Sequence, residues 1–456
     1  MYREPTRVPD SMFSSQQQSS LWGRMESQCH LVFVGRTPWT RSSANEIMLM
    51  RTSKPTRASA ADQGVRPISV SLIIDFHSGV LLCWGMATAE ESLGSENWSI
   101  LRTFLPKGWK EMARSTGALR RARDIPDAES LLRLLLLHVV NGYSLAETAV
   151  RAGELGMELS AVAVFKRLRA SEEWLRWLAE QQRGRQPVAV ESQGRPVRLV
   201  DATTVSEPGS TGTDWRVHYV VNLANLQCDF FELTDVKGGE TLRRIPVRSG
   251  DIILGDRIYA TPVGVAHVKA AQADILVRLN RKSLPVFDAE GNWLDVLRLF
   301  RRMKVGQIQQ WSTQVKHPSG GWVTGRLIAL KRSAEAARLA RHRLEINASK
   351  KQKRVSPESW EAARYFFVWT TLADSFLAPG VLELYRLRWQ IELAFKRMKS
   401  IMGLGHLPKK DPASARAWLH GKIFASLLVE RMVEAADKFS PWGYRLDHAA
   451  QPMEGD

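Results

Sequence analysis

The order of apolar runs between residues 195 and 280 constrains the fold more than any other feature of this sequence. Three β-rich runs, RPVRLVDATTV, WRVHYVVNL and CDFFELTDV, are separated by turn residues, which predicts a meander of three strands. A short helical segment (GGETLRRIPV), a buried strand (DIILGD), a helix (PVGVAHVKAAQ) and a further strand (DILVRLN) follow. Three strands followed by alternating helix and strand predict an α/β fold, a ribonuclease H-like mixed sheet flanked by helices.

The rest of the chain changes composition around this core. The first residues are rich in Ser, Thr, Arg and Gln without sustained periodicity, and Met86 is an alternative first residue. Apolar residues at three- and four-residue spacing then predict helices, and strand-like runs around WSTQVKH and GWVTGRLIALKR interrupt the core later. We predict five segments: a poorly structured leader or misassigned upstream start (1–85), an all-helical N-terminal domain (86–190), the first part of the core (191–280), a β-rich insertion (281–375) and the second part of the core (376–456).

The chain is strongly basic, with a formal net charge of +17 and a pI near 10.0. Such a field attracts phosphate backbones, so a nucleic acid is the leading partner and an anionic membrane surface the second. Apolar stretches such as Leu134 to Val140 are too short to span a bilayer, and we predict no transmembrane helix. The cysteines Cys29, Cys83 and Cys228 have neither metal-ligand nor disulfide spacing, which is typical of the reducing cytoplasm.

The helical region carries features of a DNA-reading element. Ser144 is a candidate N-cap with Glu147 three residues later, a capping-box arrangement, and a second short helix ends in the basic segment FKRLR. Short helices broken by turns predict a helix-turn-helix that binds DNA, although any small helical bundle has the same pattern.

Two carboxylates stand where core strands end. Asp201 follows the apolar run VRLV, and Asp256 follows IILG, so each strand delivers an acidic side chain to the rim of the sheet. An ionised carboxylate beside a buried strand needs a partner, and a divalent metal ion is one. Taken singly, each aspartate is also a suitable loop cap or turn former.

A third carboxylate lies on a strongly amphipathic segment from Gly380 to Met402, which we predict to be one helix. At 100° per residue, Tyr385, Arg388, Glu392 and Lys399 share one narrow face beside the apolar stripe. The simplest role for Glu392 is pairing with the basic residues four positions away, Arg388 and Lys396. Together with Asp201 and Asp256, however, it predicts a cluster of three carboxylates able to hold two Mg²⁺ or Mn²⁺ ions for in-line displacement at phosphorus.

The sequence resembles a known family at these residues. Tyr385, Arg388, Glu392 and Lys399 match the Y-x2-R-x3-E-x6-K signature of the insertion-sequence-four family of transposases, whose catalytic DDE domain has the ribonuclease H-like fold. The contexts VDATTV and LGDRIYA, and the position of the insertion, resemble that family too, over roughly residues 95 to 445.

The resemblance implies cut-and-paste transposition, with Asp201, Asp256 and Glu392 as catalytic metal ligands. It also implies that Tyr385 and Arg388 engage a terminal phosphate near a flipped base, that Lys399 contacts the DNA backbone, and that two chains pair the two element ends. The partners would be the terminal inverted repeats and target DNA, and the place of action the bacterial cytoplasm at the nucleoid.

Further residues are weaker candidates. Arg257 follows the second aspartate and is a candidate phosphate contact, and an aromatic of the insertion, Trp293, Trp311 or Trp322, could stack on an extruded base or simply pack. A basic tract from Arg338 to Arg354 is either part of a DNA channel or a solvated loop. Two rival functions remain: a DNA-binding protein that has lost catalysis, and a metal-dependent nuclease that cuts without joining.

Overall fold

The computed structural model describes residues 71–74, 81–84, 95–184, 194–210, 212–405 and 407–437. In the segment where we expected a leader, it describes two short antiparallel strands, β1 (Ser71–Ile74) and β2 (Leu81–Trp84). The rest of the expected leader lies outside the described residues. The chain divides into two compact units, and residues 106–428, which contain every candidate site residue, belong to one of them.

The main sheet of this unit has eight strands. Its strands are β3 (Val197–Val205), β4 (Trp215–Asn222), β5 (Cys228–Asp235), β6 (Ile252–Gly255), β7 (Asp274–Arg278), β8 (Ile308–Lys316), β9 (Trp322–Lys331) and β10 (Tyr365–Thr370). They lie in the order β5-β4-β3-β6-β7-β10-β9-β8, with β3, β6 and β7 parallel to one another and β3, β4 and β5 antiparallel. The first five strands form the predicted ribonuclease H-like core, because a meander joined to two parallel crossover strands has this order.

Helices flank the sheet and form the N-terminal region. They are α1 (Ser95–Thr103), α2 (Trp109–Ser115), α3 (Ala128–Val139), α4 (Leu145–Glu154), α5 (Ala161–Ala170), α6 (Glu172–Gln182), α7 (Pro262–Ala270), α8 (Val296–Leu299), α9 (Ala334–Lys350), α10 (Pro357–Ala362), α11 (Ala378–Arg386), α12 (Trp389–Ser400) and α13 (Pro412–Asp437). In the described part of the chain, no helix is long and apolar enough to cross a membrane.

Helices α2 to α6 pack against one another and against the first part of α13. The predicted cap is present: the Glu147 backbone N–H donates to the Ser144 side chain at 3.1 Å and begins α4. Helices α4 and α5 contact each other across a short turn, as a helix-turn-helix requires. Helix α13 reaches α3 at Gly421, where an added Cβ would lie 3.1 Å from Val139, so the glycine permits this close approach.

The inserted segment extends the core sheet instead of forming a sheet of its own. Strand β10 pairs with β7 of the core on one side and with β9 on the other. Trp369 of β10 is fully buried and donates its indole N–H to Thr313 of β8 at 3.0 Å. It packs over Gly325 of β9, where an added Cβ would lie 2.4 Å from the indole, so β9 needs glycine there. The basic tract that we expected to be a channel lining or a loop is largely helical, in α9.

The segment predicted as one helix from Gly380 to Met402 is two helices, and that prediction was wrong. Helix α11 ends at Arg386 and α12 begins at Trp389. The residues between them make tight i to i+3 hydrogen bonds, from Arg388 N–H to the Tyr385 carbonyl and from Ile391 N–H to the Arg388 carbonyl. The residues before and after this turn therefore do not follow one continuous α-helix with 100° per residue.

Candidate active site

The first two carboxylates lie side by side just past the last residue pair of the parallel strands β3 and β6. Asp256 follows the end of β6 as predicted, but the prediction that a strand ends at Asp201 was wrong, because β3 continues to Val205 beside β4. In the pairing of β3 with β6, Val200 stands opposite Gly255, and Asp201 and Asp256 are the next residues of the two chains. β6 is fully buried along its length, and Asp256 is half-buried directly after it. Because side chains that follow paired residues of parallel strands point to the same region, both carboxylates face one rim of the sheet.

Asp201 is largely buried, with 19% of its side chain exposed. One oxygen accepts the backbone N–H of Ala202 at 2.8 Å, and the other accepts Nη1 of Arg388 at 3.3 Å. Burial raises the pKa of Asp201 to about 6, and the negative charges of Asp256 and Glu240 act in the same direction. The neighbouring carboxylates therefore repel one another at neutral pH, and Arg388 offsets only part of that repulsion.

Glu392 joins the site through the same arginine. Arg388 stands at the start of α12 and donates through Nη2 to Glu392, one helical turn later. The simple pairing expected of Glu392 thus exists with Arg388, whereas no ion pair to Lys396 occurs among the described residues. Helix α12 packs against the sheet, with the Phe395 ring 5.9 Å from that of Tyr219 on β4. The side chain of Glu392 remains 58% exposed, so it is free to turn toward the two aspartates.

The other signature residues surround this arginine. Tyr385 is buried on α11, with its ring 5.6 Å from that of Phe366, and burial followed by the charge of Asp256 raises the pKa of its hydroxyl. Burial acts to lower the pKa of the Arg388 guanidinium, but Tyr385 and Glu392 act in the opposite direction, and the net effect is a raised pKa. Lys399 is half-buried about 10 Å along α12 from Glu392, and burial lowers the pKa of its amine.

The donor chemistry of the site fits a hard divalent cation. Carboxylate oxygens are the ligands that Mg²⁺ and Mn²⁺ prefer, and a cation between Asp201 and Asp256 relieves the repulsion that raises the pKa of Asp201. Among the described residues, however, no three His, Cys, Asp or Glu side chains already converge at metal-ligand distance. The third ligand would have to come from the exposed Glu392 by rotation away from Arg388.

The candidates for DNA contacts lie in different settings. Arg257 lies beside Asp256 and is exposed. The pKa of its guanidinium is lowered, first by partial burial and then by the charge of Arg278, and Asp256 offsets only part of this effect. Trp293 and Trp322 are exposed in the insertion, at 63% and 43%. Trp311 instead packs against the hydrophobic core. No contact joins these three tryptophans to the carboxylates among the described residues.

Sequence reasoning missed three residues of this region: Glu240 and Tyr259 near the two aspartates, and Arg278 near Tyr385. Glu240 is half-buried and forms an ion pair with Arg216, whose Nε lies 3.1 Å from one carboxylate oxygen, and burial followed by the charge of Asp256 raises the pKa of Glu240. Tyr259 is buried, and after burial the charge of Asp201 contributes most to raising the pKa of its hydroxyl. Arg278 ends β7, next to Phe366. Their only signal in the sequence is a polar group at the end of a predicted element.

Comparisons with known proteins find relatives over most of the chain. The family model described as "Transposase DDE domain" matches residues 192–428. InsL, from insertion sequence element IS186A of Escherichia coli (strain K12), is 34% identical over 356 residues, which cover 76% of this chain and 96% of that protein. The transposase for insertion sequence element IS421 of Escherichia coli is 33% identical over 357 residues, with the same coverage of both chains.

Proposed function

This chain belongs to the DDE transposase family of insertion sequences, and from that premise we propose that Asp201, Asp256 and Glu392 are its catalytic metal ligands. The chain is a DNA transposase, an enzyme of DNA recombination, and its family uses divalent metal ions. The proposal concerns which residues perform the reaction and on which DNA. Its substrates are the terminal inverted repeats of its own element and target DNA.

One observation carries the assignment of the carboxylates. Arg388 donates to Asp201 and to Glu392, although Asp201 and Arg388 are 187 positions apart in the sequence. Val200 of β3 pairs with Gly255 of β6, and Asp201 and Asp256 directly follow these two residues. We infer that these three acidic residues, two from strands and one from a helix, serve one site at this rim of the sheet, an arrangement suited to metal-dependent phosphoryl transfer.

The cofactor would be a pair of Mg²⁺ or Mn²⁺ ions held by these three side chains. When bound, such ions activate an attacking oxygen and stabilise the leaving oxygen during displacement at phosphorus. Asp201 and Asp256 supply the fixed ligands, because the sheet holds their backbones. Glu392 supplies the adjustable ligand, because its side chain is exposed on a helix.

The cationic residues of α12 position the DNA strand. Arg388 exchanges its contact with Glu392 for a backbone phosphate, and its planar guanidinium suits paired phosphate oxygens. Tyr385 supports Arg388 from the buried side, and Lys399 contacts the backbone farther along the helix. Arg257 contributes charge beside Asp256. Trp293 and Trp322 are better placed than Trp311 to stack on an extruded base, because they are exposed.

The N-terminal helical domain (86–190) recognises the terminal repeats. Helices α4 and α5 form a short two-helix unit, and α5 carries Arg167 and Arg169 in its last turn. An exposed helix of this kind that ends in cations is suited to a DNA groove and its phosphates. Two chains would pair the two ends of the element, and the enzyme would act at the cytoplasmic nucleoid, where its substrate lies.

The test is cleavage and joining of a labelled duplex that carries the inverted repeats flanking the gene. The full chain is incubated with that duplex and a target plasmid in Mg²⁺ or Mn²⁺, beside Glu392→Gln. We expect cleavage at the repeat boundary and joined products from the natural chain. We expect neither from the variant, because the amide cannot replace a carboxylate as an ion ligand.

Glu383→Gln is the matched control, because Glu383 is also an exposed glutamate paired with a nearby arginine, at 3.0 Å from Arg386. It should leave both products unchanged. Specific binding without cleavage by the natural chain would refute catalysis and favour a DNA-binding remnant, and cleavage without joining would favour a nuclease. Cleavage that survives in Glu392→Gln would refute the role of Glu392.

A further inference from the structure

Two arginines from different parts of the chain lie against one aromatic ring on the edge of the core. Arg278 ends β7 and places its guanidinium carbon 5.7 Å from the centre of the Phe366 ring on β10. Arg332, which follows β9, lies 5.6 Å from the centre of the same ring and donates Nη1 to the Ala363 carbonyl at 3.0 Å. The ring and the carbonyl hold these cations in place, since both attract positive charge.

A third arginine extends this cluster onto the insertion. Arg343 is exposed on α9, the helix that begins at Ala334, two residues after Arg332. Burial first, and then the charges of Arg278 and Arg343, lower the pKa of Arg332 to about 10. We name Arg278, Arg332 and Arg343 the arginine cluster.

The arginine cluster has no acidic counterpart. Within the part of the chain that the structure describes, none of its three guanidinium groups forms an ion pair with a carboxylate. Arg364, close by in sequence, shows the contrast, because Glu361 neutralises it at 3.2 Å. Cations that lie close together without an anion repel one another and so raise the free energy of the folded protein. An external polyanion bound to them removes that repulsion.

The arginine cluster lies next to the candidate active site. Phe366 contacts the ring of Tyr385, and the charge of Arg278 also acts on Tyr385 and on Arg257. Helix α9 follows Arg332 in the chain and has only Ala337 buried among its 17 residues. It is about 25 Å long, which is close to seven base pairs of a DNA duplex.

We propose that Arg332 and Arg343 bind backbone phosphates of duplex DNA outside the catalytic centre, and that α9 continues this contact along the duplex. The proposal rests on the transposase function only for the identity of the polyanion. Such contacts hold the duplex in register with the carboxylates and carry no sequence information. They give the inserted segment a role in binding as well as in extending the sheet.

The test measures how DNA affinity depends on salt. The full chain binds a fluorescent duplex in EDTA, so that no cleavage occurs, and the dissociation constant is measured at several salt concentrations. Each lost phosphate contact lowers the slope of log affinity against log salt by about 0.9. We therefore expect a slope smaller by about 1 for Arg343→Gln and by about 2 for Arg332→Gln with Arg343→Gln.

Arg364→Gln is the matched control. It also removes one positive charge, two residues before Phe366 in the sequence, but Glu361 already neutralises this arginine. It should change the slope by less than half as much as Arg343→Gln. Arg343 makes no hydrogen bond or ion pair among the described residues, so Arg343→Gln keeps the test valid even if a change at Arg332 disturbs folding. An unchanged slope for Arg343→Gln and for the double variant would overturn the proposal.

The duplex could be the element end or the target, and two arms separate these sources. One arm repeats the binding test with the flanking repeats and with an unrelated duplex, and the other measures joining of pre-cleaved ends into a plasmid. A loss for the element-end duplex alone assigns the phosphates to that end, and a loss in target joining alone assigns them to the target. Because the EDTA arm needs no catalytic carboxylate, it can succeed or fail independently of the Glu392→Gln experiment.

Discussion

Strand β3 carries two clusters in which arginine meets two carboxylates, and they differ in exposure. Arg198 is fully buried, and it donates to Asp229 at 2.5 Å and to Asp251 at 2.8 Å. Three residues farther along the strand, Asp201 shares Arg388 with Glu392, whose side chain is 58% exposed. The chemistry of the two clusters is the same, but only the second is open to a ligand.

The environment explains the division of roles. The side chains of Asp229 and Asp251 are at most 5% exposed, and a second arginine, Arg248, donates to Asp229 at 2.9 Å, so two cations balance two carboxylates there. At the candidate site, Asp256 and Glu240 add negative charge that Arg388 does not balance. In the buried cluster, the positive and negative charges balance, so removing one of them destabilises the fold. The cluster at the rim has an excess of negative charge, which is suited to binding cations.

The largest expected effect comes from breaking the closed cluster. Arg198→Met should lower the free energy of unfolding by about 3–5 kcal/mol, because it leaves the buried carboxylate of Asp251 without a cation and that of Asp229 with Arg248 alone. Chemical denaturation of the full chain measures this change. Arg386→Met, at a 64% exposed arginine, is the control and should cost under about 0.5 kcal/mol. Similar values for the two variants would contradict the distinction.

A smaller effect should appear in the pH dependence of the open cluster. The folded pKa of Asp201, about 6, is above its usual value of 3.8, so stability from its protonated form is full below pH 3.8 and is lost as the pH rises through 6. In EDTA, the natural chain should gain about 1 kcal/mol relative to Asp201→Asn between pH 7 and pH 5. Unfolding free energies at both pH values test this. A constant difference between the two proteins would show that the pKa of Asp201 is not raised.

The smallest effect concerns competition between Arg388 and metal ions. Without DNA, Arg388→Gln should bind Mn²⁺ about threefold to tenfold more tightly, because the guanidinium no longer neutralises Asp201 and Glu392. Free Mn²⁺ measured by electron paramagnetic resonance gives the affinity. Arg386→Gln, which removes an exposed arginine from α11, should leave it unchanged. Weaker binding by Arg388→Gln would mean that the arginine organises the carboxylates instead of competing for them.

Local patterns predicted much of this molecule. The apolar runs of β3, β6 and β7 are visible because each is short, continuous and bounded by turn residues. The cap at Ser144 is visible because its partner is three residues away. The resemblance to the transposase signature identified the family, which the comparisons confirm over residues 192–428.

Other features escaped sequence reasoning because they depend on contacts between distant residues. The turn between α11 and α12 was missed, since an amphipathic pattern continues across a single tight turn. The pairing of β10 with β7 was missed, because an apolar run does not indicate which strand it pairs with. Glu240 and Arg278 were missed as well, because each is an ordinary charged residue until the fold places it beside Asp256 or Phe366.

The sequence by itself determined the succession of strands and helices in the core, the acidic residue that follows β6 and the family to which the chain belongs. The tertiary structure alone decided which charges are balanced. Arg198 and Arg388 look alike in the sequence, yet one is enclosed with its carboxylates and the other stands at the rim of the sheet. The physical reason is that periodicity acts between near neighbours, whereas the pairing and solvation of a charge depend on every element that folds around it.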